Sequence, residues 1–501
     1  MDLLKRLEIS EINFLYVKLN SIFRFDSNYF QKELINQEGL IRNHNYKTLL
    51  NYEVDLKSFG AYSLNNFVEY LEEGVPFIRG INMKKGRILF DNMVFISENT
   101  NDLLWKSEVK PEMILLSMSG TIGEVAIASK NWKYPINSNQ DIAKIDTKGK
   151  INPYLLYTFL LSKFGQNYLK RESRGSVQQH VFLSQIEQFE IPIFDKKFIQ
   201  KQEDTIVISE ELLNKFQELY SKAETILLQE IGLDESTIKH LPSKQAVEGS
   251  NPSAITNNDA EKEGFSTPNI NVKNFKDSFG TTGRLDAEYY QKKYEVVIEK
   301  IKSYKNGFES LSIACNLKDT NHNPKENQEY KYIELSNIGK TGDINGCTTE
   351  LGKNLPSRAR RLVSKGDVII SSIEGSLQSC AMVGKEYDNA LCSTGFYIIN
   401  SDKINSETLI VLFKSDLMQS IMKQNCSGTI LTGMNKNEFQ NILVPLIEIK
   451  AQQQIAQLIE ESFSLKKQSE HLLEVAKRAV EIAIEENEEV AIKYINDNSI
   501  F

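Results

Sequence analysis

Two stretches of this chain, about 253 residues apart, are versions of one another, and that duplication narrows the possible folds more than any single motif. Ile151-Asn152-Pro153 answers to Ile404-Asn405-Ser406, Ser173-Arg174-Gly175-Ser176 to Cys426-Ser427-Gly428-Thr429, and Ile191-Pro192 to Val444-Pro445, all at one offset. After each proline comes a helix-like run that keeps the register, with Leu212, Leu219 and Ile226 matching Leu465, Leu472 and Ala479. Solenoid repeats run roughly 20 to 50 residues, so a period this long makes each copy a domain in its own right. Two similar domains, each followed by a similar helix, describe a two-headed molecule.

Each half has enough apolar residues to bury a core: 41% of the 501 residues are hydrophobic and 25% are charged, as in soluble globular proteins. No stretch approaches the ~18 uninterrupted apolar residues of a membrane span. The start meets Glu8 and Glu11 where a signal peptide would have its apolar core, so a cytoplasmic location is expected. Cys315, Cys347, Cys380, Cys392 and Cys426 are odd in number and lack a Cys-x-x-Cys pair, and the five histidines offer no ligand pair. Neither a disulfide framework nor a metal site is indicated. The net charge of -8 speaks at first against nucleic acid. From Leu446 onward, however, 11 acidic residues face 6 basic ones, so that segment alone supplies -5 of the total. The rest of the chain has room for local basic patches.

The pattern along the chain gives an α/β or α+β domain over residues 1–197, a spacer helix over 198–233, a polar linker over 234–274, a second domain over 275–445, and a second helix with an acidic tail over 446–501. Val75–Ile78, Met113–Ser117 and Asp141–Ile145 read as strands. Asn152-Pro153 opens a helix, with Asn as cap and Pro at the first helical position, running through Phe164. The same dipeptide superficially resembles the Asn-Pro-Pro-Tyr loop of amino-methyltransferases. The duplicate Asn405-Ser406-Glu407 keeps the cap and loses the dipeptide, so a helix start is the reading, and no Gly-rich cofactor loop is evident either. Leu212, Leu219 and Ile226 in the first long helix, and Leu458, Leu465, Leu472 and Ala479 in the second, have heptad spacing. Each stripe needs a cover, and the other helix is the simplest one.

The second domain opens Arg284-Leu285-Asp286-Ala287-Glu288-Tyr289-Tyr290, and the first has Arg24-Phe25-Asp26-Ser27-Asn28-Tyr29-Phe30 in the corresponding place. Read from the residues alone, this is an anchoring hydrogen bond with aromatic packing. Together with the Leu115-Leu116-Ser117-Met118-Ser119-Gly120-Thr121-Ile122-Gly123 segment and the Gly-Ser/Thr turn leading to a proline and a long helix, it resembles the specificity subunit of type I restriction-modification systems. The resemblance covers nearly the whole chain, duplication included. It implies two tandem target-recognition domains of similar fold, each reading one part of a split DNA sequence. It also implies that the long helices pair as an antiparallel coiled coil that sets the gap and docks partners. The implied partners are double-stranded DNA, two methyltransferase subunits and motor-nuclease restriction subunits. No catalysis and no cofactor are expected in this chain, S-adenosylmethionine belonging to the methyltransferase subunits.

Candidate DNA contacts follow from residue type. In the first domain they are Arg79, Asn82, Lys84, Lys85 and Arg87 in a Gly-punctuated loop after a strand, and Arg171, Arg174, Ser176, Gln178, Gln179 and His180 in a polar turn after a helix. In the second they are Asn337, Lys340, Arg358, Arg360, Arg361, Lys423, Thr429 and Lys436. Such groups hold phosphates and reach base edges, although a charge run also serves as a solvated face and a Gly-Ser/Thr turn as a helix cap. Arg79 and its approximate partner Glu334 differ as two base readers would, and also as surface loops drift. A specificity subunit serving another phage-defence system or a solitary methyltransferase, and a pure protein-protein scaffold, are the alternative readings.

Overall fold

The computed structural model describes residues 12, 17, 26–27, 29–58, 68–90, 93–173, 179–233, 273–276, 278–428 and 432–499. Most of the polar linker, the first half of the opening motif in the first domain (Arg24 included) and parts of both Gly-Ser/Thr turns lie outside these residues. The chain divides into two compact units. Unit 1 comprises Met1–Leu213 with Lys466–Phe501, and unit 2 comprises Asn214–Leu465. Each holds one of the duplicated domains and a stretch of both long helices, Lys196–Ile231 and Ile449–Glu485.

The duplication is a duplication of topology. Unit 1 has a four-stranded sheet in the order Val94–Ile96, Val75–Ile78, Ile136–Ser138, Glu108–Val109, in which only the central pair is parallel. A second sheet, all antiparallel, runs Asp55–Lys57, Ile142–Asp146, Ile114–Ser117, Val125–Ile127. Unit 2 repeats both. Its first sheet is Thr348–Leu351, Glu329–Ile333, Leu391–Ser393, Ala359–Leu362, with the same parallel centre. Its second is Asn316–Lys318, Phe396–Asn400, Val368–Ser371, Cys380–Met382. The strands nominated from sequence are among them. Ile114–Ser117 and Val368–Ser371 are buried at every position, so their apolar runs do not alternate.

In each unit a pair of helices backs the sheets. Asn152 Oδ1 accepts from the Leu155 N–H, and Asn405 Oδ1 from the Thr408 N–H, which makes both asparagines caps. The helix expected to reach Phe164 stops at Leu161. Ser162 leaves helical geometry and caps a second helix, Lys163–Glu172, as Ser415 caps Asp416–Gln424. A two-stranded stem closes each domain, Tyr46–Thr48 against Glu190–Pro192 and Phe308–Ser310 against Leu443–Pro445, so chain entry and exit lie side by side.

The long helices run antiparallel where they meet. In unit 1, Gln202 Nε2 donates to the Ala476 carbonyl, and Ser209 and Ser469 bond each other through side chain and backbone. In unit 2, the Tyr304 phenol donates to Glu230 Oε1 at 2.9 Å and accepts from the Glu448 N–H at 3.1 Å, tying the end of one helix to the start of the other. The covered seam differs from the leucine heptad. Leu212, Leu219, Ile226, Leu458 and Leu465 are only half-buried, whereas Leu472 and Ala479 are buried. The positions that alternate by three and four and are buried are Gln202, Ile206 and Ser209 with Ser469, Leu473, Ala476, Val480 and Ala483 in unit 1. In unit 2 they are Phe216, Tyr220, Ala223 and Leu227 with Ile455, Ile459 and Ser462. In unit 1 the long helices also share the main core, which takes in Phe159, Phe164, Phe189 and Phe198. Among the described residues no helix is long and apolar enough to cross a membrane.

Candidate nucleic-acid interface

The parallel pair at the centre of each first sheet ends in one place. In unit 1, Asn137 and Ser138 pair with Phe77 and Ile78, and the Asn139 N–H donates to the Ile78 carbonyl at 2.9 Å, so Arg79 and Asn139 leave the sheet together. The carboxyl ends of parallel strands are where open sheets gather ligands, because the chain must there turn away and its polar groups face outward. Two further segments converge on the spot. The turn after Ile114–Ser117 arrives with Thr121 Oγ1 donating to the Gly80 carbonyl and Ser119 Oγ donating to Asp141 Oδ1 at 2.7 Å. The stretch after the helix pair arrives with Ser119 bridged to His180 and the Val181 N–H donating to the Met118 carbonyl at 3.0 Å. Asn139 Nδ2 donates to Asp141 Oδ2, and its buried Oδ1 has no hydrogen-bond partner. At the tip, Gly120 has φ +71°, and an added Cβ would meet nothing within 4 Å.

Unit 2 builds the same face from other side chains. Tyr332 and Ile333 pair with Leu391 and Cys392, so Glu334 and Ser393 stand together past the parallel pair, and the next residue's N–H, that of Thr394, donates to the Arg358 carbonyl at 2.9 Å. The turn after Val368–Ser371 meets the segment after the helix pair through an Ile373–Gly433 bridge and a Met434 N–H bond to the Ser372 carbonyl. A Cβ on Gly433 would lie 2.9 Å from that carbonyl, so glycine permits the close approach where unit 1 has His180. Lys436 pairs with Asp319; its ammonium, with Arg361 farther off, holds the Asp319 carboxyl below the usual range.

The sequence candidates fall into three groups. Some lie on this face. Arg79 is half-buried with its guanidinium 5.6 Å over the Tyr70 ring, Gln179 is exposed, and His180 packs edge-on to Phe182. In unit 2, Arg358 is exposed and Arg361 lines the edge strand. Arg360 is held by Asn323 Oδ1 and the Ser357 carbonyl, and Lys436 by Asp319. Lys423 is exposed at the end of its helix.

In a second group Asn82, Asn337, Arg171 and Arg87 are engaged within the fold, which corrects their reading from residue type, while Lys84, Lys85 and Lys340 stand exposed on turns that pack on helices. Asn82 is 2% exposed, and its Oδ1 accepts from the Arg79 N–H, as Asn337 Oδ1 accepts from Glu334. Both asparagines shape a turn, and the half-buried Asn337 does so in the same way as the buried Asn82. Arg171 is 5% exposed, with Nε donating to the Tyr29 carbonyl, Nη1 to Glu38, and its plane 4.0 Å over the Tyr29 ring. Gln424, at the matching position, donates to the Tyr289 carbonyl. In the same motif Arg284 forks onto Asp286, reaches Glu438 and covers Tyr289, so the anchoring role holds there. Lys84, Lys85 and Arg87 sit on a hairpin, Met83–Lys84 with Arg87–Ile88. Its turn, Lys85 at φ +50° and Gly86 at +82°, is pressed onto helices: a Cβ on Gly86 would lie 2.9 Å from Tyr157 Oη and 3.0 Å from Leu473 Cδ2. Arg87 Nη2 donates to Ser469 Oγ at 2.7 Å and Ser209 Oγ at 3.1 Å, between the long helices. Lys84 and Lys85 are exposed on this peg, and Lys340 is exposed on the corresponding turn of unit 2, whose Gly342 packs on Ile410. The third group, Arg174, Ser176, Gln178 and Thr429, lies outside the described residues.

Two stretches of the sequence, 55–206 and 308–475, match the profile of the type I restriction modification DNA specificity domain. They cover well over half of the chain. The chain belongs to the type I restriction-modification DNA specificity family. It is a DNA-recognition subunit, and the two copies of the profile are the two units' domains. Among solved structures, the chain is matched to the S subunit of a type I restriction-modification system from M. genitalium, at 14% identity and TM-score 0.38 over 90% of this chain and 96% of that one. An HsdS subunit from Thermoanaerobacter tengcongensis matches at 11% identity and TM-score 0.27 over 88% and 97%. The assignment rests on the family profile. Residue-type reasoning missed Ser119, Thr121, Asn139 and Asp141 of this specificity subunit, none of them cationic. The available signal was a polar run directly after an unbroken apolar strand, Ser117-Met118-Ser119-Gly120-Thr121 after Ile114-Leu115-Leu116.

Proposed function

We propose that this subunit reads a split DNA target, one part with the strand-end face of each unit, and scaffolds two methyltransferase subunits that carry S-adenosylmethionine and the chemistry. The observation behind this reading is that one face is built twice on one topology with different side chains. Arg79 stands where the other unit has Glu334, Asn139 where it has Ser393, and His180 where it has Gly433. Arginine donates to guanine edges and a carboxylate accepts from cytosine, so such exchanges suit two different base sequences. Catalysis is assigned to partners because Asn152-Pro153-Tyr154, the one resemblance to a methyltransferase loop, is spent on a helix cap with the Tyr154 side chain buried. The partners then flip and methylate an adenine that this chain has selected.

The test is the methylated motif of the complex assembled on this subunit, together with DNA binding by the full chain over a salt series. A two-part motif and an affinity falling steeply with salt are expected. An uninterrupted motif, or methyl transfer by the chain with no partner present, would overturn the proposal.

A further inference from the structure

Beside the strand-end face of unit 1 stands the most exposed aromatic ring among the described residues of that domain. Leu104 is buried against Val75, Phe77 and Ile96, and the chain then turns out of the core, leaving Trp105 63% exposed. The Lys106 ammonium lies 5.4 Å from the centre of the indole. The next residue fixes where this pair sits. Trp105–Ser107 is a turn of 3-10 helix that leads into the strand Glu108–Val109, and Ser107 Oγ donates to Asn137 Oδ1 at 2.6 Å while Ser138 Oγ donates to the Ser107 carbonyl, so the turn carrying Trp105 and Lys106 is held at the end of Ile136–Ser138, where Asn139 leaves the sheet. In unit 2, Leu355 packs on Tyr330 and Tyr332 as Leu104 packs on Val75 and Phe77, and the residue brought beside Thr394 is the exposed Arg358. One place next to the recognition face is thus an indole with a lysine in one unit and a guanidinium in the other.

A single exposed ring is ordinary on a protein surface; what distinguishes Trp105 is its place, held at the end of the strand that opens onto the polar face and paired with the Lys106 ammonium. We propose that Trp105 is a specificity-determining DNA contact of the first domain. Its ring lies against bases and sugars at one step of the duplex, while Lys106 holds the adjoining phosphate. This rests on the strand-end face being the DNA-reading face. An apolar ring in contact with a base step rewards sequences that unstack easily, so it selects through deformability as well as through base edges.

The two tryptophans, Trp105 and Trp132, make the test direct. Trp132 is half-buried, edge-on to Phe90. The full-length protein is titrated with duplex DNA of randomised sequence while indole emission is followed, and bound duplexes are recovered and sequenced. Emission should change on binding, the change should persist in Trp132→Phe and vanish in Trp105→Phe. Trp105→Ala should weaken binding about ten-fold, as loss of a base-stacking aromatic does. It should leave the salt slope as it was, because no phosphate contact is lost, while Lys106→Ala should reduce that slope by about one unit. The recovered sequences should relax in one half of the motif. Unchanged affinity and motif in Trp105→Ala, or an emission change that survives Trp105→Phe, overturns the assignment of Trp105. No salt-dependent binding by the unaltered protein would instead overturn the DNA-reading face itself.

Discussion

Arg87 and Lys144 show how little a residue's type says about its task. Arg87 looks like a phosphate contact and in the structure ends between two serines of the paired helices. Ser209 and Ser469 also bond each other, so Arg87→Met leaves no serine hydroxyl stranded. It should cost only about 1–2 kcal/mol in a denaturation series and leave the salt dependence of DNA binding unchanged; a shallower salt slope would return Arg87 to the DNA. Lys144 is 2% exposed, its ammonium donating to Ser138 Oγ at 3.0 Å, and burial pushes it down to about 7. Between there and the ordinary value of 10.5 the unfolded chain binds the extra proton, so this group makes stability rise with pH through that window. Lys144→Met should therefore stabilise unit 1 by a few kcal/mol near pH 7, with the gain fading toward pH ~10. Glu210 runs the other way. Burial raises it to about 7, the folded state holds the extra proton, and stability falls as pH climbs from 4.5, so Glu210→Gln should gain only at the upper end of that range. Equal gains for either variant at all pH values would mean that the side chain titrates as it does in the unfolded chain. None of this is visible in sequence, because both residues lie in otherwise ordinary strand and helix patterns.

At the scale of elements, what could be read from the sequence depended on whether the signal was local. The caps at Asn152 and Asn405 were legible, since a cap needs only its own turn. The break at Ser162 was not, because the apolar run passes straight through it into Phe164. The coil was legible as a coil, yet its seam lay beside the expected leucines. Both stripes are apolar, and in unit 1 one is covered by the partner helix while the neighbouring one also meets the domain core. In sequence the hairpin at Lys84–Arg87 has the look of a loop reaching for DNA, since nothing local says which way a turn points. Two glycines separate these possibilities by experiment. Gly86 has φ +82° with Tyr157 and Leu473 at its back, whereas Gly120 has φ +71° and open space. Gly86→Ala should cost about 2–4 kcal/mol, through strain plus displaced side chains, and Gly120→Ala about 1 kcal/mol of strain alone. Comparable losses in thermal unfolding would mean that the hairpin is not pressed onto the helices.

The duplication was legible because it is a property of the whole chain, and the structure extends it from matched residues to matched sheets, turns and stems. Its consequence is modularity. Each domain enters and leaves through paired strands, Tyr46 opposite Pro192 in unit 1 and Phe308 opposite Pro445 in unit 2, so everything between is a cassette on a two-stranded stem. The cassette also rests on the long helices, and there the two copies differ. Unit 1 has the Arg87 bond to Ser209 and Ser469, while at the seam positions of unit 2 that repeat those serines Phe216 and Ser462 stand, the Ser462 hydroxyl donating to the Ile459 carbonyl. An exchange of cassettes should therefore keep the fold at a modest loss of stability, most of it recovered by giving the helix beneath the moved cassette its own seam residues. If the two faces read DNA independently, replacing residues 46–192 by 308–445 gives a subunit with one reading head twice. The motif methylated by the assembled complex should then lose its first half-sequence and carry the second half-sequence in both parts. A first half-sequence that survives the exchange would place its readers outside the cassette, on the helices or the linker, and would end the assignment of recognition to the strand-end face.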